Sequence, residues 1–462
     1  MMALQPTNLA GLLPGAVLGR GDTGYNEGRR ERNARLERHP EFVVRCNSTV
    51  DVATAVGWAA ANDVAVFVKD RGHSCAGNAG GPGGILLDLS GLGGIKVRAG
   101  ERRATVQAGA TWAQLDSATQ RHGLATSGSM LSSACVAEAA LSGGAGLLSR
   151  KFGHSLDNLL AAEMVTSQGQ VVCASADVDP ELFWGLRGAG HALGIVTTLQ
   201  FALHEVGPHV LAGQVVYPFD DAERILEFVA GFMREAPDDL QCLPCAFRVP
   251  ASSALPAVLR GRLVLSLVVF HADLGQACFA EPLGNIGGSL INTVRSMAYV
   301  AAQAMFEACH PAGTRYCSGA HGLADLGDSA IADFARFMRT SRGAHTVACF
   351  EPGGGAAGRI QPMATAMGGR AAGCGFHLVA GWDDAGDDEW VMDWARDFNN
   401  AMAAHAAGGD CRNLVAGDAS APVAPVFSDA GRVAALKRAW DPCSRLPANR
   451  DASPAPVAEA LV

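Results

Sequence analysis

Charge is scarce in this 462-residue sequence: Asp, Glu, Lys and Arg together make 18%, against about 25% in an average globular chain. That shortage excludes a disordered polypeptide or a long coiled coil, and an apolar content of 49% supplies a large core instead. Lys and Arg number 36 against 45 Asp and Glu, a formal net charge of −9. No basic run is long enough to follow a phosphate backbone, so nucleic acid is not an expected partner. No stretch of about 18 apolar residues could span a bilayer. The opening MMALQPTNLAGLLPGAVLGR lacks a basic leader and is interrupted by Pro6 and Pro14, so neither a membrane span nor an export signal is expected. Thirteen cysteines, spread from Cys46 to Cys443, show no short regular framework. Reduced thiols and a cytoplasmic location are the expectation. Walker loops and Gly-x-Ser-x-Gly elbows are missing. His204-Glu205-Val206-Gly207-Pro208-His209 has the wrong spacing for a zinc helix, and Cys242-Leu243-Pro244-Cys245 has no second pair, so no metal is expected.

What is abundant is glycine, 56 residues, about 12% against a usual 7%, clustered rather than periodic. The length suggests about three domain-sized units and at least two modules. From about 38 to 205, short β-type runs alternate with helical stretches. FVVRC (42–46) leads into Ser48-Thr49-Val50-Asp51, a capping box opening a helix to about Asn62. VAVFVKD (64–70), GILLDLS (84–90) and ATVQAGA (104–110) read as strands, and AAEMVTSQGQVVCAS (161–175) as a hairpin turning at Ser167-Gln168-Gly169. From about 206, VLAGQVVYPFD, CLPCAFRVP, GRLVLSLVVFHAD and HTVACFEPGG read as strands separated by helices such as ADFARFMRTS, the pattern of an antiparallel sheet. The tail RDASPAPVAEALV has no periodicity and is expected to be loosely attached.

Three glycine motifs stand out. Lys69-Asp70-Arg71-Gly72-His73-Ser74 follows a strand and precedes Gly77, Asn78 and further glycines, a sequence of free amides able to cradle a pyrophosphate. LSGGAGLLSRKFG (141–153), followed by Asp157-Asn158, removes side chains where a flat ligand could lie against the main chain. LRGAGHALGIVT (186–197) has GxGxxxG spacing after a helical stretch, so a Rossmann reading lacks its context.

In this order and spacing, these motifs resemble the FAD-linked oxidases of the vanillyl-alcohol oxidase and p-cresol methylhydroxylase superfamily, berberine-bridge-enzyme-like branch. The likeness runs on through LLDLSGL, VQAGATWAQLD, GLATSGS, ELFWGLRGAG and RVAALKRAWDPCSRLPAN. It implies an α+β, two-domain fold: a p-cresol-methylhydroxylase-type FAD domain over 1–205, with its core at about 38–205, then an antiparallel-sheet substrate domain over 206–410. Residues 411–462 would be a berberine-bridge-like return to the FAD domain. His73 would bond covalently to the flavin 8α-methyl carbon, raising its reduction potential. The remaining cofactor contacts would come from Lys69, Asp70, Arg71, Gly72, Ser74, Gly77, Asn78, Gly128, Ser129, Ser132, Ala134, Cys135, Gly143, Gly144, Gly146, Ser149, Asp157, Asn158, Val196 and Asn449. A second, cysteinyl link known in some relatives would fall on Leu131, and Cys135 sits where singly linked relatives have glycine, so one covalent bond at most is expected.

Several positions depart from the family pattern. Asp70 and Arg71 occupy places that favour small residues, and Glu138 replaces a glycine near the flavin face. The tyrosine-bearing strand reads Cys411-Arg412-Asn413-Leu414, and a further expected tyrosine falls at Cys374. With four tyrosines in the chain, the usual phenolate base has few sources, Tyr299 or Tyr316. Glu138, His377 and Glu351 are the candidate replacements. The resemblance implies hydride removal from an alcohol, amine or C–H donor of a small molecule of secondary-metabolite type. Dioxygen would reoxidise the flavin and yield hydrogen peroxide, and the protein would be a monomer or homodimer. A flavin-containing cyclase or lyase without net redox turnover is the alternative, and a binding protein that leaves its ligand unchanged is a third reading.

Overall fold

The computed structural model describes residues 6–37, 39–69, 83–251, 253, 255–309, 313–343, 345–370, 372–407 and 427–447. Asp70, Arg71, Gly72, His73, Ser74, Gly77 and Asn78, the segment around Cys411, and Asn449 therefore lie outside the described residues.

The first sheet contains β1 (Val17–Gly19), β2 (Phe42–Arg45), β3 (Val66–Lys69) and β4 (Ile85–Asp88) in the order β1-β2-β4-β3. β2 and β3 run parallel to β4. Such strands are covered on both faces, which is why Val43, Val44, Leu86 and Leu87 are all buried. The crossover helix Thr49–Ala61 starts at the capping box expected from sequence: Ser48 Oγ accepts from Asp51 N at 3.1 Å, and the Asp51 carboxylate accepts from Ser48 N at 3.0 Å.

The second sheet is antiparallel, with β5 (Ile95–Arg98), β6 (Arg103–Gln107), β8 (Leu159–Val165), β9 (Val171–Ser175) and β10 (Ile195–Ala202) in the order β5-β6-β10-β8-β9. β7 (Leu124–Ala125) and β11 (His204–Glu205) form a separate ladder. The β8–β9 turn uses Gly169 at φ 80°; a side chain there would meet the backbone of Ala53 and Gly57 within 2.9 Å, so the turn docks directly on the crossover helix.

A third, eight-stranded antiparallel sheet holds β12 (His209–Pro218), β13 (Leu240–Arg248), β14 (Leu263–His271), β15 (Ile291–Asn292), β16 (Arg295–Ala298), β17 (Arg315–Leu323), β18 (Val347–Pro352) and β19 (Cys374–Trp382). Its order is β15-β12-β14-β13-β18-β19-β17, with β16 also on β12. Strand alternation gives it two faces. The outer one, with Phe350, Phe376 and Leu378, is buried with helices Ala222–Glu235, Asp328–Thr340 and Asp388–Ala403. The inner one, with Leu243, Cys245, Val268 and Phe270, packs with Leu147 and Leu148 of the first unit.

Helix Ala430–Trp440 returns to the first unit. Arg432 pairs with Glu181 at 2.6 and 2.9 Å, and Leu436 fills the space left by Gly185. The LRGAG motif lies in helix Pro180–Leu193, which kinks at Arg187–Ala189. Gly188, at φ 129°, leaves room for the Met367 backbone, where a Cβ would lie 2.2 Å from Met367 N. Those glycines are thus explained by chain crossing, not by a Rossmann turn. Among the described residues no helix is long and apolar enough to cross a membrane.

Candidate active site

Antiparallel pairing of β18 with β19 sets Cys349 opposite His377 and Glu351 opposite Gly375. Glu351 and His377 thus share the inner face diagonally, and His377 Nε2 lies 3.1 Å from Glu351 Oε2, the side chains 11% and 14% exposed. Gly375 permits this: a Cβ there would stand 3.1 Å from His377 Nε2 and 3.4 Å from Glu351 Cβ. Burial pushes the Glu351 carboxyl up, but the His377 hydrogen bond and the charges of His377 and His154 outweigh it and leave it below the ordinary carboxylate range. An ionised Glu351 accepts from His377 Nε2–H. Nδ1 is buried and has no hydrogen-bond partner among the described residues. The pair has the form of a base oriented by a carboxylate.

His154 completes the group from the first unit. Burial holds its imidazole below the usual value, with Glu351 and Asp157 pulling in the opposite direction. Its backbone N–H donates to Asp157 Oδ2 at 2.9 Å, and Asp157 in turn binds Arg370 at 2.6 and 3.1 Å, an ion pair whose side chains are almost wholly buried. Arg370 also donates to Thr365 Oγ1 at 2.9 Å. Arg150, on the short helix Ser149–Phe152, donates to the carbonyls of Leu240 (2.9 Å), Ala236 (3.0 Å) and Gly353. The LSGGAGLLSRKFG segment is in this way bolted to the large sheet. His154 and Arg370 were not singled out from sequence. His154 stands one residue past that motif, whereas Arg370 carries no local signal.

Of the four catalytic candidates, the structure joins Glu351 and His377. Glu138 is half-buried on a separate helix, Val136–Ser142, where its carbonyl accepts from Ser142 Oγ at 3.0 Å. Tyr299 is corrected: it is 1% exposed, edge-on to Phe270, and burial together with the Asp116 carboxyl holds its phenol well above the ordinary range. A phenolate is disfavoured there.

The glycine and serine segments are built to enclose something polar. Thr126 Oγ1, Ser127 Oγ and Ser155 Oγ are buried hydroxyls without partners among the described residues, a costly arrangement unless a ligand completes it. These groups fit a polyhydroxylated, phosphorylated cofactor. Gly128 presses on the Trp112 ring, and Lys69, the last residue of β3, donates to Gly28 O at 2.7 Å. Ser129 O accepts from Gln303 Nε2 at 3.1 Å, and Ser132 Oγ donates to Glu307 at 2.9 Å. Ala134, Cys135 and Val196 are buried.

Several of the other candidate positions also hold the chain together. Side chains at Gly144 and Gly146 would collide with Ser155 Cβ (2.3 Å) and Gly128 O (2.4 Å), so close packing by the chain itself already requires glycine at both positions. Gly143 is the more open of the three, with Met367 Sδ 3.6 Å from its Cβ position. Ser149 Oγ accepts from Gly146 N at 2.8 Å. Asp157 is held by Arg370, and Asn158 donates to the carbonyls of Phe152 (3.1 Å) and His154 (2.9 Å) while its Oδ1 meets His204 at 2.6 Å. These side chains shape the loop.

Comparison with known proteins agrees with this cofactor architecture. Residues 40–175 match a family described as an FAD binding domain. The chain is 34% identical to (R)-6-hydroxynicotine oxidase of Paenarthrobacter nicotinovorans over 44% of its own length, a stretch spanning 45% of that relative. It is 25% identical to an uncharacterised FAD-linked oxidoreductase of Bacillus subtilis over 86% of this chain and 87% of that one. Among solved structures, 6-hydroxy-D-nicotine oxidase from Arthrobacter nicotinovorans superposes with TM-score 0.81 at 24% identity, covering 94% of this chain and 96% of the other. A berberine-bridge-enzyme-like protein of Physcomitrella patens gives 0.83 at 19%, covering 96% and 97%. At these identities the superpositions establish fold. Residues 40–175 thus match an FAD binding domain, and the chain as a whole shares the fold of these two solved proteins.

Proposed function

We propose that the protein removes a hydride from a small alcohol or amine, with dioxygen consumed and hydrogen peroxide released. The observation that carries this reading is the Glu351–His377 pair on the face of the large sheet turned toward the FAD unit. Bound FAD supplies the hydride acceptor. His377 takes the hydroxyl or ammonium proton of the donor, and Glu351 stabilises the imidazolium that results. Removing that proton raises electron density at the adjacent carbon, so its hydride leaves more readily. The inner face near the pair presents Val347, Val379 and Phe247, side chains that offer nothing to a sugar's many hydroxyls. An apolar or aromatic donor suits that lining, and a relative named for 6-hydroxynicotine supports it.

Anaerobic mixing of the purified flavoprotein with apolar alcohols and amines tests the reading. The expected result is bleaching of the flavin bands by at least one donor, with peroxide formed when air is admitted. Product formation without bleaching or oxygen uptake would instead establish a cyclase or lyase. A single covalent link through His73 belongs to the same proposal. Acid precipitation should leave the flavin with the wild-type protein and release it from His73→Ala.

A further inference from the structure

The Cys242-x-x-Cys245 motif does not close on itself. The two cysteines are three apart on β13, so their side chains leave opposite faces: Cys242 is buried under the outer helices and Cys245 lies in the inner layer. Cys245 instead faces Cys349, its register partner on β18, and the two Sγ atoms are 2.8 Å apart. Directly opposed residues on antiparallel strands hold their Cβ atoms about 4.5–5.5 Å apart, close to the 3.5–4.5 Å span of a disulfide. Little backbone movement separates this pair from a bond. Cys349 is also the register partner of His377 on β19 and lies two residues before Glu351 on the same face. The thiols and the acid–base pair therefore occupy one patch.

We propose that Cys245 and Cys349 form a redox-active dithiol that hydrogen peroxide closes to a disulfide. Cys349, half-buried, is the attacking sulfur, and Cys245, 3% exposed, resolves. The Cys349 thiolate displaces water from peroxide as the O–O bond breaks, leaving a sulfenic acid; the Cys245 sulfur then displaces the second oxygen as water and forms the S–S bond. Two thiols lose two electrons and two protons, and one peroxide becomes two waters. Only the natural source of the peroxide rests on the oxidase reading. The bond itself requires the two cysteines and the oxidant.

The test uses full-length flavoprotein, reduced, freed of reductant and titrated with added hydrogen peroxide in the absence of any donor, then alkylated, digested and mapped by mass spectrometry. The expected product is one linked peptide pair carrying Cys245 and Cys349, lighter by two hydrogens and split by reductant. It should be lost in Cys349→Ser, whereas Cys245→Ser should accumulate a dimedone-trapped sulfenic acid at Cys349. Oxidation of the exposed Cys173, Cys278 and Cys443 with both Cys245 and Cys349 still reduced would overturn the proposal, as would a bond from either to another cysteine. Because the peroxide is added, failure here leaves the donor-bleaching experiment unaffected, and failure there leaves this bond testable.

Discussion

At Gly375 a missing side chain decides whether an imidazole can lean across to a carboxylate. Any Cβ would crowd His377 Nε2 at 3.1 Å, and with it the hydrogen bond that orients the ring. Glu351→Gln keeps the shape but removes the charge that holds the imidazolium. The rate of anaerobic flavin reduction by a donor is expected to fall about 10²–10⁴-fold, with flavin content unchanged by its visible spectrum. Glu351 and His377 could be picked singly from sequence, but their union depends on a strand register joining positions 26 apart. Asp116 gave no such signal, being one polar residue in an amphipathic helix. Burial pushes its carboxyl up to about 8, with a hydrogen bond from the Gln303 side chain pulling in the other direction. A folded-state value above the unfolded one, about 4, means that the native protein binds the extra proton, so this group's contribution to stability falls as pH rises from about 4 to about 8. Asp116→Asn removes that dependence. Its melting temperature should exceed the wild type's by a margin that widens across this window and is flat above it, as read by thermal scans at stepped pH.

Elements were legible where their signals are local. The Ser48–Asp51 capping box, the Thr49–Ala61 helix and the turn at Gly169 depend on neighbours within a few residues, and each stands where the sequence placed it. Ser48→Ala forfeits the side-chain acceptor for Asp51 N and is expected to cost about 1 kcal/mol, read as a lower urea midpoint at unchanged slope. Elements shaped by distant chain were not legible. The kink at Arg187–Ala189 exists because Met367 passes against Gly188, from 179 residues away. Similarly, three glycines in a row of four read as a ligand cradle, and the close approach of Ser155 to Gly144 and of Gly128 to Gly146 was not foreseen. A glycine reports that something comes close; sequence does not say whether it is cofactor or chain.

For the whole molecule, fold class followed from the change in pattern near residue 206 and from the family motifs, because near-continuous apolar runs such as β13 and β14 already record strands buried on both faces. How the first unit grips the large sheet was not recorded, since each link joins residues far apart. Arg150 reaches Leu240 and Gly353, the Asn33 side chain brackets both the N–H and the carbonyl of Tyr316 at 3.0 Å, and Arg370 meets Asp157. The last of these holds the loop that carries His154, so stability and site geometry are coupled through it. Arg370→Met strands the Asp157 carboxylate in a buried setting and is expected to cost about 3–5 kcal/mol. Adding Asp157→Asn removes the stranded charge while keeping an oxygen for His154 N–H, so the double variant should recover part of that loss. A double-mutant cycle of denaturant midpoints measures the difference. If the two losses simply add, the pair contributes nothing to the join between the units, and His154 must be held in place by the bonds its carbonyl accepts from Asp157 N–H and the Asn158 side chain and by the Gly144–Ser155 backbone contact.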